Sequence, residues 1–142
     1  MAETARLTES HVQDWLDRYI AAWRSGDKGQ ISGLFSEDAT YRYNPYDEPL
    51  TGRSAIVASW LGDEEPDVFE ARYRVLAVNG DLAVAHGESI YYDKDRTAVR
   101  ARYDNIFVLR FEGSRRCRQF TEWFMEPRKP QVAAAAESGA AD

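Results

Sequence analysis

Between Pro66 and Pro127 the sequence reads as strand almost throughout, with breaks at Asn79-Gly80, at Asp93 to Arg96 and at Glu112 to Arg115. Asn-Gly supplies the positive backbone angles of a tight turn and is the strongest short-range hairpin signal. Three such breaks predict four long antiparallel strands joined as a meander. In an antiparallel ladder the sum of opposed residue numbers stays constant and side chains alternate faces, so the turns decide which residues share a face. Centring the first hairpin on Asn79-Gly80 sets Tyr73 opposite His86, and centring the second on Lys94-Asp95 sets His86 opposite Tyr103. The third, centred on Gly113-Ser114, sets Tyr103 opposite Phe124 and Asn105 opposite Glu122.

On this register one face carries Phe69, Tyr73, Val75, Val84, His86, Glu88, Ile90, Tyr103, Asn105, Phe107, Leu109, Phe120, Glu122 and Phe124. It is mostly apolar with a few polar groups, the composition of a ligand pocket. The other face carries Arg72, Arg74, Ala85, Arg102, Asp104, Ile106, Val108, Thr121, Trp123 and Met125. That mixture suits a partner surface better than open water, and it predicts a homodimer through the outer sheet face.

Ahead of the strands, Val12, Trp15, Leu16, Tyr19, Ile20 and Trp23 recur at spacings of three and four, an amphipathic helix with Thr8 or Ser10 as its cap. Ser25-Gly26-Asp27 ends that helix, and Asp27 caps a second carrying Ile31, Leu34 and Phe35 inward. Ala39 to Tyr43 reads as a short strand, Asn44 to Gly52 as a loop, and Arg53 to Leu61 as a third helix with Ile56 and Trp60 inward. The expected fold is therefore α+β, with a curved antiparallel sheet wrapped around N-terminal helices in a cone that encloses one pocket. Residues 1–127 form this domain. The Ala-rich remainder, 128–142, lacks apolar periodicity and is expected to be a disordered tail.

A length of 142 residues is that of one ordinary domain. The net charge of −6, with Lys and Arg scattered, argues against a nucleic-acid partner. Cys117 is the only cysteine, so no intrachain disulfide forms, and no Cys/His spacing matches a structural metal site. The first residues lack the apolar stretch of a signal peptide, and no apolar run approaches bilayer length. The expectation is a cytoplasmic protein with no membrane association, no cofactor and no metal.

The segments Asp17 to Asp27 (DRYIAAWRSGD), Leu34 to Thr40 (LFSEDAT) and Pro49 to Ile56 (PLTGRSAI) resemble the start of ketosteroid isomerases and SnoaL-like polyketide cyclases. Phe107 to Gly113 (FVLRFEG) and Phe120 to Phe124 (FTEWF) are similar to the last two strands of that nuclear transport factor 2-like superfamily. The resemblance spans residues 8–127. It implies a cone-shaped pocket between the first helix and the concave sheet face, and a homodimer through the sheet. By position, Tyr19 matches the isomerase tyrosine that donates to the oxyanion. The isomerase's general-base Asp falls on Asn44, and its second oxyanion donor falls on Phe107. An amide does not accept and return a proton near neutral pH, so the resemblance does not extend to steroid isomerisation.

Among the polar residues of the pocket face, Glu122 is the leading candidate for acid/base work, because desolvation on an aromatic face raises a carboxyl pKa into a useful range. Asn105, opposite it, is expected to hold it, and His86 to serve as the complementary proton-transfer group; the alternative is a buried Glu and a core His that only shape the pocket. Glu88 is a weaker candidate near the sheet margin. His86, Glu88 and Glu122 together lack the spacing of a known metal motif. Trp23, Asn44, Trp60, Tyr103, Phe107, Phe120 and Phe124, with Tyr19, complete the expected lining. Two readings stand: an isomerase-, cyclase- or hydrolase-type enzyme in which Glu122 and His86 move protons at a small apolar substrate, or a non-catalytic ligand-binding or dimerisation module.

Overall fold

The computed structural model describes residues 6–61 and 68–128. The segment 62–67 between the third helix and the strands, and all but the first residue of the expected tail, lie outside the described residues. The elements are α1 (Glu9–Ser25), α2 (Lys28–Leu34), β1 (Phe35–Arg42), β2 (Leu50–Thr51), α3 (Arg53–Leu61), β3 (Phe69–Asn79), β4 (Leu82–Tyr92), β5 (Val99–Phe111) and β6 (Cys117–Met125). The fold is α+β, with α1 packed on a curled six-stranded sheet of order β2-β1-β6-β5-β4-β3. The sheet is mixed: β3 to β6 form the antiparallel meander, and β1 lies parallel to β6. Parallel pairing arises because the chain crosses from β1 to the far edge before the meander brings it back.

Helix α1 begins at Thr8, whose hydroxyl accepts from the His11 backbone N–H at 3.1 Å while its own N–H donates to His11 Nδ1 at 3.1 Å. It ends at Gly26, which takes the left-handed conformation (φ 66°) and closes the helix by donating to the Ala22 carbonyl. Its apolar stripe of Val12, Trp15, Leu16 and Tyr19 is buried, and Trp15 Nε1 donates to the Leu34 carbonyl at 2.9 Å, giving the end of α2 one of the partners it lacks. Phe35, expected on α2, has extended backbone and instead opens β1.

The outermost strand, β3, is covered by α1 through two polar side chains. The Gln13 amide donates to the Tyr73 carbonyl at 2.9 Å and accepts from the Val75 N–H at 3.2 Å, and Arg24 Nη1 donates to the Phe69 carbonyl at 3.0 Å. These bonds occupy edge groups that would otherwise invite another strand.

Residue pairing departs from the turn-centred expectation in all three hairpins, with Asn105 facing Phe124 and Phe107 facing Glu122 in the last, but the face assignment departs in one strand. Leu76 interrupts the β3–β4 ladder as a bulge, so Tyr73 faces Gly87 and Arg74 faces His86. A second irregularity, at Arg100 between the pairs Tyr91–Ala101 and Tyr92–Val99, shifts the β4–β5 ladder, so Ser89 faces Tyr103 and Gly87 faces Asn105. Each bulge adds one residue and flips the faces beyond it. The two cancel across β5 and β6 but leave β4 reversed. Val84, His86, Glu88 and Ile90 therefore point outward, while Ala83, Ala85, Gly87 and Ser89 point into the curl.

Gly87 has a packing reason. A Cβ there would overlap the Tyr73 ring and the Arg72 carbonyl. Tyr73 lies across the β4 backbone and stacks on Phe107 with centroids 4.6 Å apart. Gly87→Ala is expected to destabilise the fold by about 1–3 kcal/mol, the usual cost of forcing atoms into a packed interior. Urea unfolding read by far-UV circular dichroism checks this; an unchanged midpoint would contradict the packing described.

Candidate functional site

A cavity of about 440 Å³ opens between α1, α3 and the concave sheet face. Its wall is mostly aromatic: Tyr19 and Trp23 from α1, Trp60 from α3, Tyr41 and Tyr43 at the end of β1, Tyr73 from β3, Tyr91 from β4, and Tyr103 and Phe124 from β5 and β6. Glu122 is its one carboxylate and Arg100 its one guanidinium, counted among the described residues. Arg100 reaches the wall from the β5 bulge and lies over the Tyr91 ring at 5.5 Å.

Glu122 is half-buried on β6, paired with Phe107 rather than with Asn105. Among the described residues no hydrogen-bond donor reaches its carboxylate. Loss of water raises its pKa from the ordinary 4.5 to about 7. Its negative charge in turn helps hold the Tyr19, Tyr41, Tyr43 and Tyr73 phenols neutral, for which burial is the larger cause. The phenols are themselves engaged: the Tyr19 and Tyr41 hydroxyls bond each other at 3.1 Å, and Tyr43 bonds Ser59 at 2.9 Å. Trp60 Nε1 is buried beside the Tyr41 hydroxyl, near enough to favour its ionised form, yet makes no hydrogen bond of good geometry.

Several expectations need correction. His86 is on the outer face, where its Nε2 meets Asp104 Oδ1 at 2.9 Å; Leu76's bulge reversed its strand, so it is no partner for Glu122. Glu88 is exposed on the same outer face. The sheet thus separates both from Glu122, and among the described residues no three His, Cys, Asp or Glu side chains gather in a metal-holding cluster. Asn105 does not hold Glu122: it faces Phe124 and donates from Nδ2 to the Tyr73 hydroxyl at 2.7 Å and the Ser89 hydroxyl at 3.1 Å. Asn44 sits in a turn, accepting from the Tyr46 N–H at 2.9 Å, and does not line the cavity. Phe107 and Phe120 lie behind Tyr19, with centroids 5.5 and 5.6 Å from its ring, and support the wall rather than form it. Tyr41, Tyr43, Ser89 and Tyr91 were not anticipated. The alternation Tyr41-Arg42-Tyr43 marks one face of a strand, but only the parallel pairing of Tyr41 with Phe120 brings that face to the cavity.

A family model described as the SnoaL-like domain matches residues 16–128. The chain belongs to the SnoaL-like family. The solved structure of an NTF-2 like protein from Burkholderia xenovorans LB400 superposes with a TM-score of 0.65 at 18% identity, covering 92% of each chain. An LEH-like epoxide hydrolase from M. tuberculosis superposes with a TM-score of 0.67 at 12% identity, covering 82% of this chain and 84% of that one. At such identities the likeness establishes the SnoaL-like fold and leaves the chemistry to this chain's own residues. Among the described residues, no helix is long and apolar enough to cross a membrane.

The raised carboxyl of Glu122 ties stability to pH. A carboxyl whose folded pKa lies above its unfolded value holds its proton more tightly in the folded state, so that stabilisation is present at low pH and is lost as pH rises from about 4.5 through about 7. Glu122→Gln, which imitates the neutral form, is expected to match wild type at pH 5 and to exceed it at pH 8 by on the order of 1–3 kcal/mol. Denaturant titrations at the two pH values measure this, and parallel pH profiles for the two proteins would rule out a desolvated Glu122.

Proposed function

We propose that this SnoaL-like protein binds a small, largely apolar molecule in the cavity and transfers a proton to or from it through Glu122. The observation that carries the reading is a carboxylate open to an aromatic cavity with no hydrogen-bond donor from the described residues, an arrangement whose desolvation cost a merely structural residue would not need. With a pKa of about 7, Glu122 exists in both protonation states near neutral pH, so it can accept a proton from a carbon acid or water and return it. Trp23, Trp60, Tyr103 and Phe124 supply flat surfaces for the apolar body. Steroid isomerisation is not part of this proposal, since Asn44 stands where the isomerase base would be and the Tyr19 hydroxyl is shared with Tyr41.

The test is product formation and ligand affinity for wild type and Glu122→Gln with apolar ketones, polycyclic phenols and epoxides, the last suggested by the epoxide hydrolase of similar fold. Glu122→Gln is expected to keep affinity within a few-fold and to lose at least about a hundredfold in turnover, the usual share of a positioned acid/base group. Full turnover in the variant would exclude the catalytic role. Ligand binding without turnover in wild type would favour the non-catalytic ligand-binding reading.

The same reading gives the convex face to a second copy of the chain. Trp123 and Met125 are 44% and 74% exposed there, beside Ile106 and Val108, an apolar strip that a partner sheet would cover. Sedimentation at micromolar concentration is expected to give a dimer, and Trp123→Ala to shift it toward monomer, as loss of a large aromatic anchor does. A monomeric wild type would refute the assignment.

A further inference from the structure

Tyr73, Gly87, Asn105 and Phe124 stand side by side on four consecutive strands of the concave face. Gly87 is bare, so the Tyr73 ring lies flat across β4, stacked on Phe107, and its hydroxyl reaches Asn105 two strands away. Asn105 is 1% exposed, and its Nδ2 donates to both Tyr73 Oη and Ser89 Oγ. Its Oδ1 is buried with no partner among the described residues. The opposite orientation of the amide would leave two buried N–H groups unpaired instead of one carbonyl oxygen, and orphaned N–H donors are the rarer and costlier case.

A hydroxyl that accepts from an amide still has its own hydrogen to place. Tyr73 and Ser89 both line the cavity. We propose that Asn105 is a positioning residue that makes Tyr73 and Ser89 a pair of hydroxyl donors aimed into the cavity, so that the ligand presents an acceptor oxygen, such as a ketone carbonyl, at that point. This rests on the reading of the cavity as a ligand site but not on catalysis by Glu122. It narrows the ligand class: the Ser89 and Tyr73 hydroxyls are within reach of each other, so one can donate to the other, but a hydrogen is still left over that a ketone or an epoxide satisfies and a purely hydrocarbon surface leaves unpaired. The anchor point is supplied by β3 and β4, away from the β6 strand that carries Glu122, so the ligand is held at one wall while its reactive end faces the other.

The test compares 2-acetylnaphthalene with 2-isopropenylnaphthalene, which has nearly the same shape with a CH₂ in place of the carbonyl oxygen. Binding is read by quenching of Trp23 and Trp60 fluorescence at pH 8, where Glu122 is mostly ionised and does not itself donate. Wild type is expected to favour the ketone by about tenfold, the net worth of one good hydrogen bond. Tyr73→Phe, which keeps the ring between Phe107 and Gly87, and Ser89→Ala are each expected to lower that preference at least about threefold. Asn105→Leu is expected to lower ketone affinity while leaving the hydrocarbon unchanged; a merely structural role would weaken both equally. Equal affinity of wild type for the two compounds, or an undiminished preference in Tyr73→Phe, overturns the donor pair and leaves the ligand-site reading standing. If neither compound binds, both are overturned.

Discussion

One side chain of α1 joins the core to the cavity, and much of the rest depends on its position. Tyr19 lies parallel to Trp15 and Phe120, at centroid distances of 5.3 and 5.6 Å, and meets Trp60 edge-on at 5.0 Å. Its hydroxyl bonds Tyr41, which itself lies flat on Phe120 at 4.1 Å. This layer of rings divides the curl of the sheet into a dry side filled by Trp15, Phe35 and Phe111, and an open side that is the cavity. Offset and edge-on ring pairs contribute beyond the area they bury, so the layer is stiff as well as apolar.

The polar side chains of α1 matter as much as its apolar stripe. Gln13 and Arg24 occupy backbone groups of β3 and so fix the helix along the edge of the sheet that the meander leaves open. Gln13 reaches β3 next to the bulge at Leu76, where regular pairing with β4 is interrupted. The helix thus covers the place where the strand changes face, and the same bonds place Tyr73 at the cavity wall.

Much of this was legible in the sequence because helix stripes, caps and hairpin turns are local signals. Thr8, Gly26 and Asp27 act where their chemistry put them, and the third helix ran from Arg53 to Leu61 as read. β5 and β6 present the expected faces, so Glu122, Tyr103 and Phe124 reach the cavity wall. What failed was β4, and it failed as a unit. A bulge is invisible to a count of residues from a turn, because Leu76 and Arg100 carry no glycine or proline to mark them. Two bulges, one on either side of β4, restored parity for the later strands and concealed the error, sending His86 outward and bringing Ser89 inward. The parallel contact of β1 with β6 was equally out of reach, since no turn connects those strands, and with it went Tyr41 and Tyr43.

The reversal of β4 also changes what the pocket can do. With His86 and Glu88 inside, the cavity would have held two carboxylates and an imidazole, an environment that supports ionisation and draws water. With Gly87 and Ser89 there instead, the wall next to Tyr73 is thin and weakly polar, and Glu122 has no charged neighbour on it. Burial raises its pKa, since among the described residues no hydrogen-bond donor favours the anion. The imidazole, meanwhile, meets Asp104 on the convex side, where both groups retain access to solvent. The two extra residues, Leu76 in β3 and Arg100 in β5, therefore sort the titratable groups by face, leaving the Glu122 carboxyl in an aromatic enclosure and the His86–Asp104 pair outside.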